Sequence, residues 1–128
     1  MNTMTFAVPG IPPSSNSYVR HTRTGRHYIT AEARRFEQTV ELIAKCVRNE
    51  ASYRDAYALS EAKRVRLEIS VYLGKGQRRD WDNCPKLIGD ALQNACVIRN
   101  DAVIAEGEVK KFRDWANPRT EIVLKVIA

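Results

Sequence analysis

Nine residues in the middle of the chain alternate without a break between apolar and polar side chains. In the segment 65–73 every second residue is Val, Leu or Ile, which is the period of a strand with one buried face. Such a strand is stable only within a sheet whose apolar face is covered by a second layer. A chain of 128 residues can form one core of this kind. We therefore expect a single domain, residues 1–128, with helices packed on one sheet.

Two segments with helical periodicity lie on either side of this strand. From Thr30 to about Val47 apolar residues recur at helical spacing, and Thr30 has a side chain suited to cap the first turn. The second helix is expected to begin at Asp82, also a favourable cap, with Pro85 tolerated in the first turn. Its apolar stripe comprises Ile88, Ala91, Leu92, Ala95 and Cys96.

The rest of the chain indicates further strands and their connections. Residues 3–8 predict a short strand, and residues 49–62 predict a connection with at most a turn of helix. Residues 102–112 and 119–127 resemble the two strands of a hairpin, joined by a turn at 115–118. The expected order is strand, helix, strand, helix, strand, strand. This order predicts an α+β fold with a mixed sheet packed by helices.

The charge of the chain is positive and unevenly distributed. It has 21 Lys and Arg residues against 15 Asp and Glu, a formal net charge of +6, which is the sign expected of a protein that contacts phosphates. Charge alone does not separate nucleic-acid-binding proteins from other basic proteins. Two basic clusters stand out, one before any acidic residue and one directly before a pair of aspartates: Arg20, Arg23 and Arg26, and Lys75, Arg78 and Arg79.

Other features of the sequence argue against a membrane, secreted or zinc-binding protein. No apolar run approaches the roughly 20 residues that span a bilayer, and the N-terminal segment lacks the pattern of a secretory signal, so we expect a cytoplasmic location. Cys46, Cys84 and Cys96 are too far apart for a zinc knuckle, and their odd number does not suit a disulfide framework. We expect buried thiols.

Three aspartates and one lysine form the candidate catalytic group. Asp80 and Asp82 are two residues apart, so on an extended backbone both would project to one side and could share a cation. Asp101, beside the predicted turn, is a candidate third ligand. Two or three carboxylates with a phosphate oxygen suit the octahedral oxygen coordination of Mg²⁺. Lys86 lies one helical turn after Asp82, so both can face the same pocket.

Each of these residues also has a structural explanation. The role of Asp82 could be limited to capping its helix, and that of Asp101 to stabilising a turn. Asp80 could form an ordinary ion pair, and Lys86 could pair on the helix surface with Asp82 or Asp90. The residue pattern alone leaves both explanations open.

The sequence resembles the RusA-type Holliday junction resolvases. The residues that carry this resemblance are Pro12, Pro13, Ser14, Asn16, Tyr18, Arg20 and His21 near the N-terminus, and Arg78, Arg79, Asp80, Asp82, Asn83, Lys86, Asp90, Ala91, Leu92 and Asp101 later in the chain. The resemblance implies a homodimer that cuts branched DNA, with Asp80, Asp82 and Asp101 as Mg²⁺ ligands and Lys86 as an essential basic residue. Asn100 is a departure, because family members often have an acid there, and we expect it to tune the site.

The resulting hypothesis is a magnesium-dependent endonuclease for four-way DNA junctions. Water would attack the scissile phosphate in line and expel the 3′ oxygen. The candidate DNA contacts are Asn16, Tyr18, Arg20, His21, Arg23, Arg26, Lys75, Arg78 and Arg79. His27 and His21 are better explained as DNA contacts or solvated residues than as a metal pair. The apolar side of the second helix and the hairpin are candidate dimer interfaces. The alternative is a branched-DNA-binding protein without catalytic activity.

Overall fold

The structure is a computed structural model that describes residues 2–13, 19–21, 27–76 and 84–128. Within these ranges the side chains of residues 19–21, 27–29 and 84 are not described. The elements in chain order are β1 (Thr3–Pro9), β2 (Val19–His21), β3 (His27–Ile29), α1 (Ala31–Glu50), α2 (Tyr53–Ser60), β4 (Val65–Leu73), α3 (Cys84–Asn94), a 3₁₀ turn (Asp101–Val103), β5 (Ile104–Arg113) and β6 (Arg119–Val126).

Helix α1 begins where its capping residue predicts. The Thr30 hydroxyl oxygen accepts a hydrogen bond from the Ala33 backbone N–H at 3.2 Å, which satisfies one of the amides at the helix start. Helix α2 occupies most of the segment expected to be a connection. It is capped in the same way, because the Ser52 hydroxyl accepts from the Asp55 backbone N–H at 3.1 Å. A short helix with one buried residue has too little apolar periodicity to predict.

The four-stranded sheet is mixed and has the order β1-β6-β4-β5. Strand β6 is antiparallel to both β1 and β4, whereas β5 is parallel to β4. Strands β2 and β3 form a separate antiparallel pair. The predicted α+β class and mixed sheet are confirmed, and β4 spans the predicted residues 65–73.

The predicted hairpin between the last two strands is wrong. Strand β4 lies between β5 and β6, so the connection 114–118 crosses the end of β4. The Asp114 backbone N–H donates to the Leu73 carbonyl oxygen at 2.9 Å, which keeps the end of β5 on β4. On the other side, the Arg119 guanidinium lies 3.8 Å from the centroid of the Tyr72 ring. Strand β4 is therefore paired on both edges, with β5 on one side and β6 on the other.

The core lies between one face of the sheet and the helices. The apolar residues of β4 are at most 6% exposed, and β1 and β6 add their own alternate residues to the same core. Helix α3 fills it with Leu87, Ile88, Ala91 and Leu92, all fully buried. The apolar side of this helix is therefore occupied within the chain and is not a free dimer interface, contrary to our expectation.

Cys96 does not continue the apolar stripe of α3. The helix ends at Asn94, and Cys96 adopts a left-handed backbone conformation with φ of 60°. The Val97 N–H donates to the Leu92 carbonyl at 3.0 Å and the Cys96 N–H to the Gln93 carbonyl at 3.0 Å, the pattern of a Schellman motif. Cys46 and Cys96 are both exposed, so the expectation of buried thiols is wrong for these two, and Cys84 lies outside the described side chains.

No helix in the described ranges has the length and apolar character needed to cross a bilayer.

Candidate active site

The polar side of α3 carries three residues that point in one direction. Lys86, Asp90 and Gln93 are spaced by four and three residues, so they lie above one another on one face of the helix. Their neighbours Leu87 and Ile88 face the core and fix the rotation of the helix. The same packing that buries the apolar side therefore orients the polar side.

Among the described residues, two carboxylates flank the Lys86 ammonium. Its Nζ is 3.2 Å from Oδ1 of Asp90 and 3.8 Å from Oδ2 of Asp101. The Lys86 side chain is 61% exposed and that of Asp101 is 47% exposed, so both remain open to a ligand. Lys86 therefore forms the helical ion pair that the sequence allowed and also faces the candidate metal ligand.

Asp101 is held by hydrogen bonds to the backbone of its own turn. The Gln93 Oε1 accepts from the Asp101 backbone N–H at 3.0 Å, and the Asn100 Oδ1 accepts from the Ala102 N–H at 2.9 Å. The turn packs against α3 at Gly89, where an added Cβ would lie 3.7 Å from the Asp101 Cβ and 3.4 Å from the Ile104 Cδ1, which is ordinary van der Waals contact. The cap of the turn is Asn100, so turn formation does not require the Asp101 carboxylate, which the turn presents towards Lys86.

Glu37 of α1 is a further carboxylate beside this face, which our sequence reasoning missed. Its Oε1 accepts a hydrogen bond from the Asn94 Nδ2 at 3.3 Å. Burial raises the pKa of Glu37, and the nearby negative charge of Asp90 raises it further. A signal for Glu37 was present in the sequence: it lies four residues after Ala33 and three before Val40, on the same side of α1 as these two buried residues.

The raised pKa of Glu37 predicts a pH-dependent effect on stability. The folded state binds the Glu37 proton more tightly than the unfolded state does. The contribution of Glu37 to the free energy of unfolding therefore falls as pH rises, over the range from the ordinary pKa of a glutamate to the raised pKa. We expect Glu37→Gln to raise the melting temperature at about pH 7, by no more than about 3 °C, and to have less effect at about pH 4. Thermal unfolding followed by circular dichroism at both pH values measures this difference. A gain that is the same at both pH values would contradict the assignment to Glu37 ionisation.

The structure describes only part of the predicted site. Asp80 and Asp82 belong to residues 77–83, outside the described residues, so their approach to Asp101 stays a prediction. No group of three His, Cys, Asp or Glu side chains suited to a metal ion occurs among the residues the structure does describe. What the structure brings together is Lys86 and Asp101.

One predicted DNA contact has a described side chain. Lys75 is exposed just after β4, with its Nζ 5.7 Å from the centroid of the Trp115 ring, which is also exposed. The backbones of His21 and His27 are paired across β2 and β3. The structure does not describe the side chains of the other predicted DNA contacts, which are Asn16, Tyr18, Arg20, His21, Arg23, Arg26, Arg78 and Arg79.

Comparison with known proteins gives matches along almost the whole chain. The family model for endodeoxyribonuclease RusA matches residues 9–125. Crossover junction endodeoxyribonucleases RusA from Shigella sonnei and Escherichia coli K12 are 32% and 31% identical to the chain over 124 residues. A crossover junction endodeoxyribonuclease from Enterobacteria phage 82 is 33% identical. Each alignment covers 97% of this chain and 95% of the relative, so the similarity extends over almost the whole of both proteins.

Proposed function

The chain belongs to the RusA family of endodeoxyribonucleases, and from this premise we propose that it resolves four-way (Holliday) junctions in DNA by metal-dependent, paired symmetric nicks. The observation that carries the proposal is the juxtaposition of Lys86 and Asp101, with 3.8 Å between Nζ and Oδ2. Helix α3 and the 3₁₀ turn each supply one of the two residues. A cation and an exposed carboxylate at this distance suit a site that handles both a phosphate and a metal ion.

The chemistry of Asp101 is compatible with a Mg²⁺ ion. Asp101 supplies exposed carboxylate oxygens on a turn fixed by Gln93 and Asn100. Hard oxygen ligands of this kind are those that Mg²⁺ prefers. Asp80 and Asp82 would complete the set, and Asp82 is separated by a single residue from the first residue of α3. When bound, the ion would supply charge neutralisation at the phosphate and a lowered pKa for the attacking water.

Lys86 has a separate task in the proposed reaction. Its ammonium can donate to a non-bridging phosphate oxygen and so stabilise the charge that develops when the P–O3′ bond breaks. It can also orient the attacking water. The proposed products are a 5′ phosphate and a 3′ hydroxyl. A lysine with 61% of its side chain exposed can reach a phosphate that approaches α3 from solvent.

The positive charge of the chain would hold the DNA. Backbone contacts from the basic clusters around Arg20 and Arg78 would supply affinity without sequence preference. Lys75 is exposed in the described part of the chain and leads into the second cluster. Binding should therefore weaken steeply as salt concentration rises. A DNA substrate also fits the cytoplasmic location expected from the sequence.

Paired nicks are most simply made by two copies of one site. A four-way junction has two-fold symmetry. A homodimer whose two-fold axis coincides with that of the junction would place one active site at each of two equivalent strands. We propose such a homodimer of one RusA-like domain, residues 1–128. The described apolar surface of α3 does not contribute to it, because that surface is buried in the core.

A cleavage assay on an immobile four-way junction tests the proposal. Each strand is labelled in turn, and the protein is incubated with Mg²⁺ or with a chelator. We expect Mg²⁺-dependent nicks at symmetric positions in two opposing strands, and no comparable cleavage of a linear duplex. Junction binding without Mg²⁺-dependent cleavage would instead support the non-catalytic binding protein. Nicks at unrelated positions would contradict paired resolution while leaving nuclease activity in place.

A further inference from the structure

We propose that Asp90 is a positioning residue that holds the Lys86 ammonium beside the Asp101 carboxylate in the free protein. The inference rests on the proposed function, because it concerns how Lys86 is made ready for a phosphate. It assigns a role to a carboxylate outside the proposed set of metal ligands.

The geometry favours Asp90 as the anchor of Lys86. Of the two carboxylates beside Lys86 in the described part of the chain, Asp90 is the nearer, at 3.2 Å against 3.8 Å, and it is also the less exposed, at 27%. It lies on the same helix as Lys86, one turn later, so the pair can form whenever α3 is folded. A lysine side chain has four flexible carbon-carbon bonds and loses its preferred position easily. An anchor on its own helix restricts it.

Lys86 can contact Asp90 and a substrate phosphate at the same time. An ammonium has three N–H donors, so one ion can contact Asp90, Asp101 and a phosphate oxygen from different directions. The Lys86 Nζ lies 3.2 Å from Asp90 on the helix and 3.8 Å from Asp101 on the turn, so contact with Asp90 keeps the charge beside the turn. Asp90 therefore sets a position without removing Lys86 from the reaction.

Helix stability does not account for this ion pair. A pair at this spacing is more favourable with the acid nearer the helix N-terminus, whereas here the lysine comes first. The Glu37 carboxylate also lies near enough that the charge of Asp90 raises its pKa, so the negative charges repel. The helix therefore gains less from an acid at position 90 than it would from the reverse order, and the contact with Lys86 gives a second reason for an acid here.

The chain provides a matched control pair. Glu41 and Lys45 of α1 are also four residues apart, with 3.6 Å between Oε1 and Nζ, and Glu41 is 26% exposed. This pair has comparable exposure but lies on another helix. Glu41→Gln therefore removes a helical ion pair of similar exposure, with the acid before the lysine, without touching Lys86.

The experiment compares Asp90→Asn, Asp90→Glu, Lys86→Gln, the double variant Asp90→Asn/Lys86→Gln and Glu41→Gln. Single-turnover cleavage of a four-way junction is measured with Mg²⁺ at saturating protein, and junction affinity is measured with a chelator. We expect Asp90→Asn to slow cleavage about ten- to a hundred-fold while affinity changes by less than about three-fold. Asp90→Glu should recover part of the rate, and Glu41→Gln should cleave at the unmodified rate. In the Lys86→Gln background, Asp90→Asn should slow cleavage by less than about three-fold.

Three outcomes would overturn the inference. One is full activity of Asp90→Asn when the unmodified protein cleaves. A second is an equal loss from Asp90→Asn with Lys86 present or replaced, since Asp90 would then act independently of Lys86. In both cases the proposed nuclease function survives. The third is an unmodified protein that makes no metal-dependent cut, which overturns the proposed function and this inference with it.

Discussion

Replacing Asp101 with asparagine is expected to reduce the rate of junction cleavage by at least about a thousand-fold, because a ligand of the metal loses its charge. The substitution keeps the size of the side chain. The turn should persist, since Asn100 and Gln93 bond to its backbone and not to the Asp101 carboxylate. The rate is measured under single-turnover conditions with Mg²⁺, and junction affinity is measured with a chelator present. We expect affinity to be retained or slightly increased, because one negative charge near the DNA is removed.

A control separates loss of chemistry from loss of structure. Asp55→Asn changes another exposed aspartate, on α2, and should leave the cleavage rate within about two-fold of the unmodified protein. The melting temperature of Asp101→Asn should stay within about 3 °C of the unmodified value. Cleavage by Asp101→Asn at close to the unmodified rate would show that Asp101 is not required as a ligand. A large fall in melting temperature would assign the residue a structural role instead.

Local periodicity predicted the elements whose whole length contacts the core. Strand β4 matches the predicted span because alternate burial continues through all nine residues. Helix α1 starts after Thr30, the expected cap, because capping uses a hydrogen bond between residues three apart in sequence. Such features depend on near neighbours in the chain, so the sequence contains what is needed to predict them.

Pairing between strands and the ends of helices were harder to predict. Strands β5 and β6 are consecutive and antiparallel in direction, as in a hairpin, but β4 lies between them. Which strand fills that place depends on the whole sheet and not on the turn. Likewise, Cys96 has the spacing of the apolar stripe, but the helix has already ended in a Schellman motif without the usual glycine.

In the candidate site too, features set by near neighbours in the chain were predictable and tertiary contacts were not. Lys86 and Asp90 could be placed on one face of a helix by counting residues. The approach of Asp101 to Lys86 depends on how the 3₁₀ turn packs against α3 at Gly89, which is a tertiary contact. Its place beside the predicted turn made Asp101 a candidate, and resemblance to a family supported that choice where spacing could not. Glu37 had no counterpart in that resemblance; its spacing placed it on the inner side of α1, but its closeness to α3 is a tertiary contact.

Ile122→Ala is expected to lower the free energy of unfolding by about 3–4 kcal/mol, because it leaves a cavity in the middle of the sheet. Ile122 is fully buried on β6, with Phe6 of β1 as its partner on one side and Ile69 of β4 on the other. A loss of this size is a large part of the free energy of unfolding of a typical domain, which is about 5–15 kcal/mol. It is measured by urea denaturation followed by circular dichroism. Val123→Ala is the control, because this neighbour faces the other side of the sheet and is only partly buried, and it should cost less than about 1 kcal/mol. Equal losses from the two variants would contradict the placement of β6 in the centre of the sheet with Ile122 facing the core.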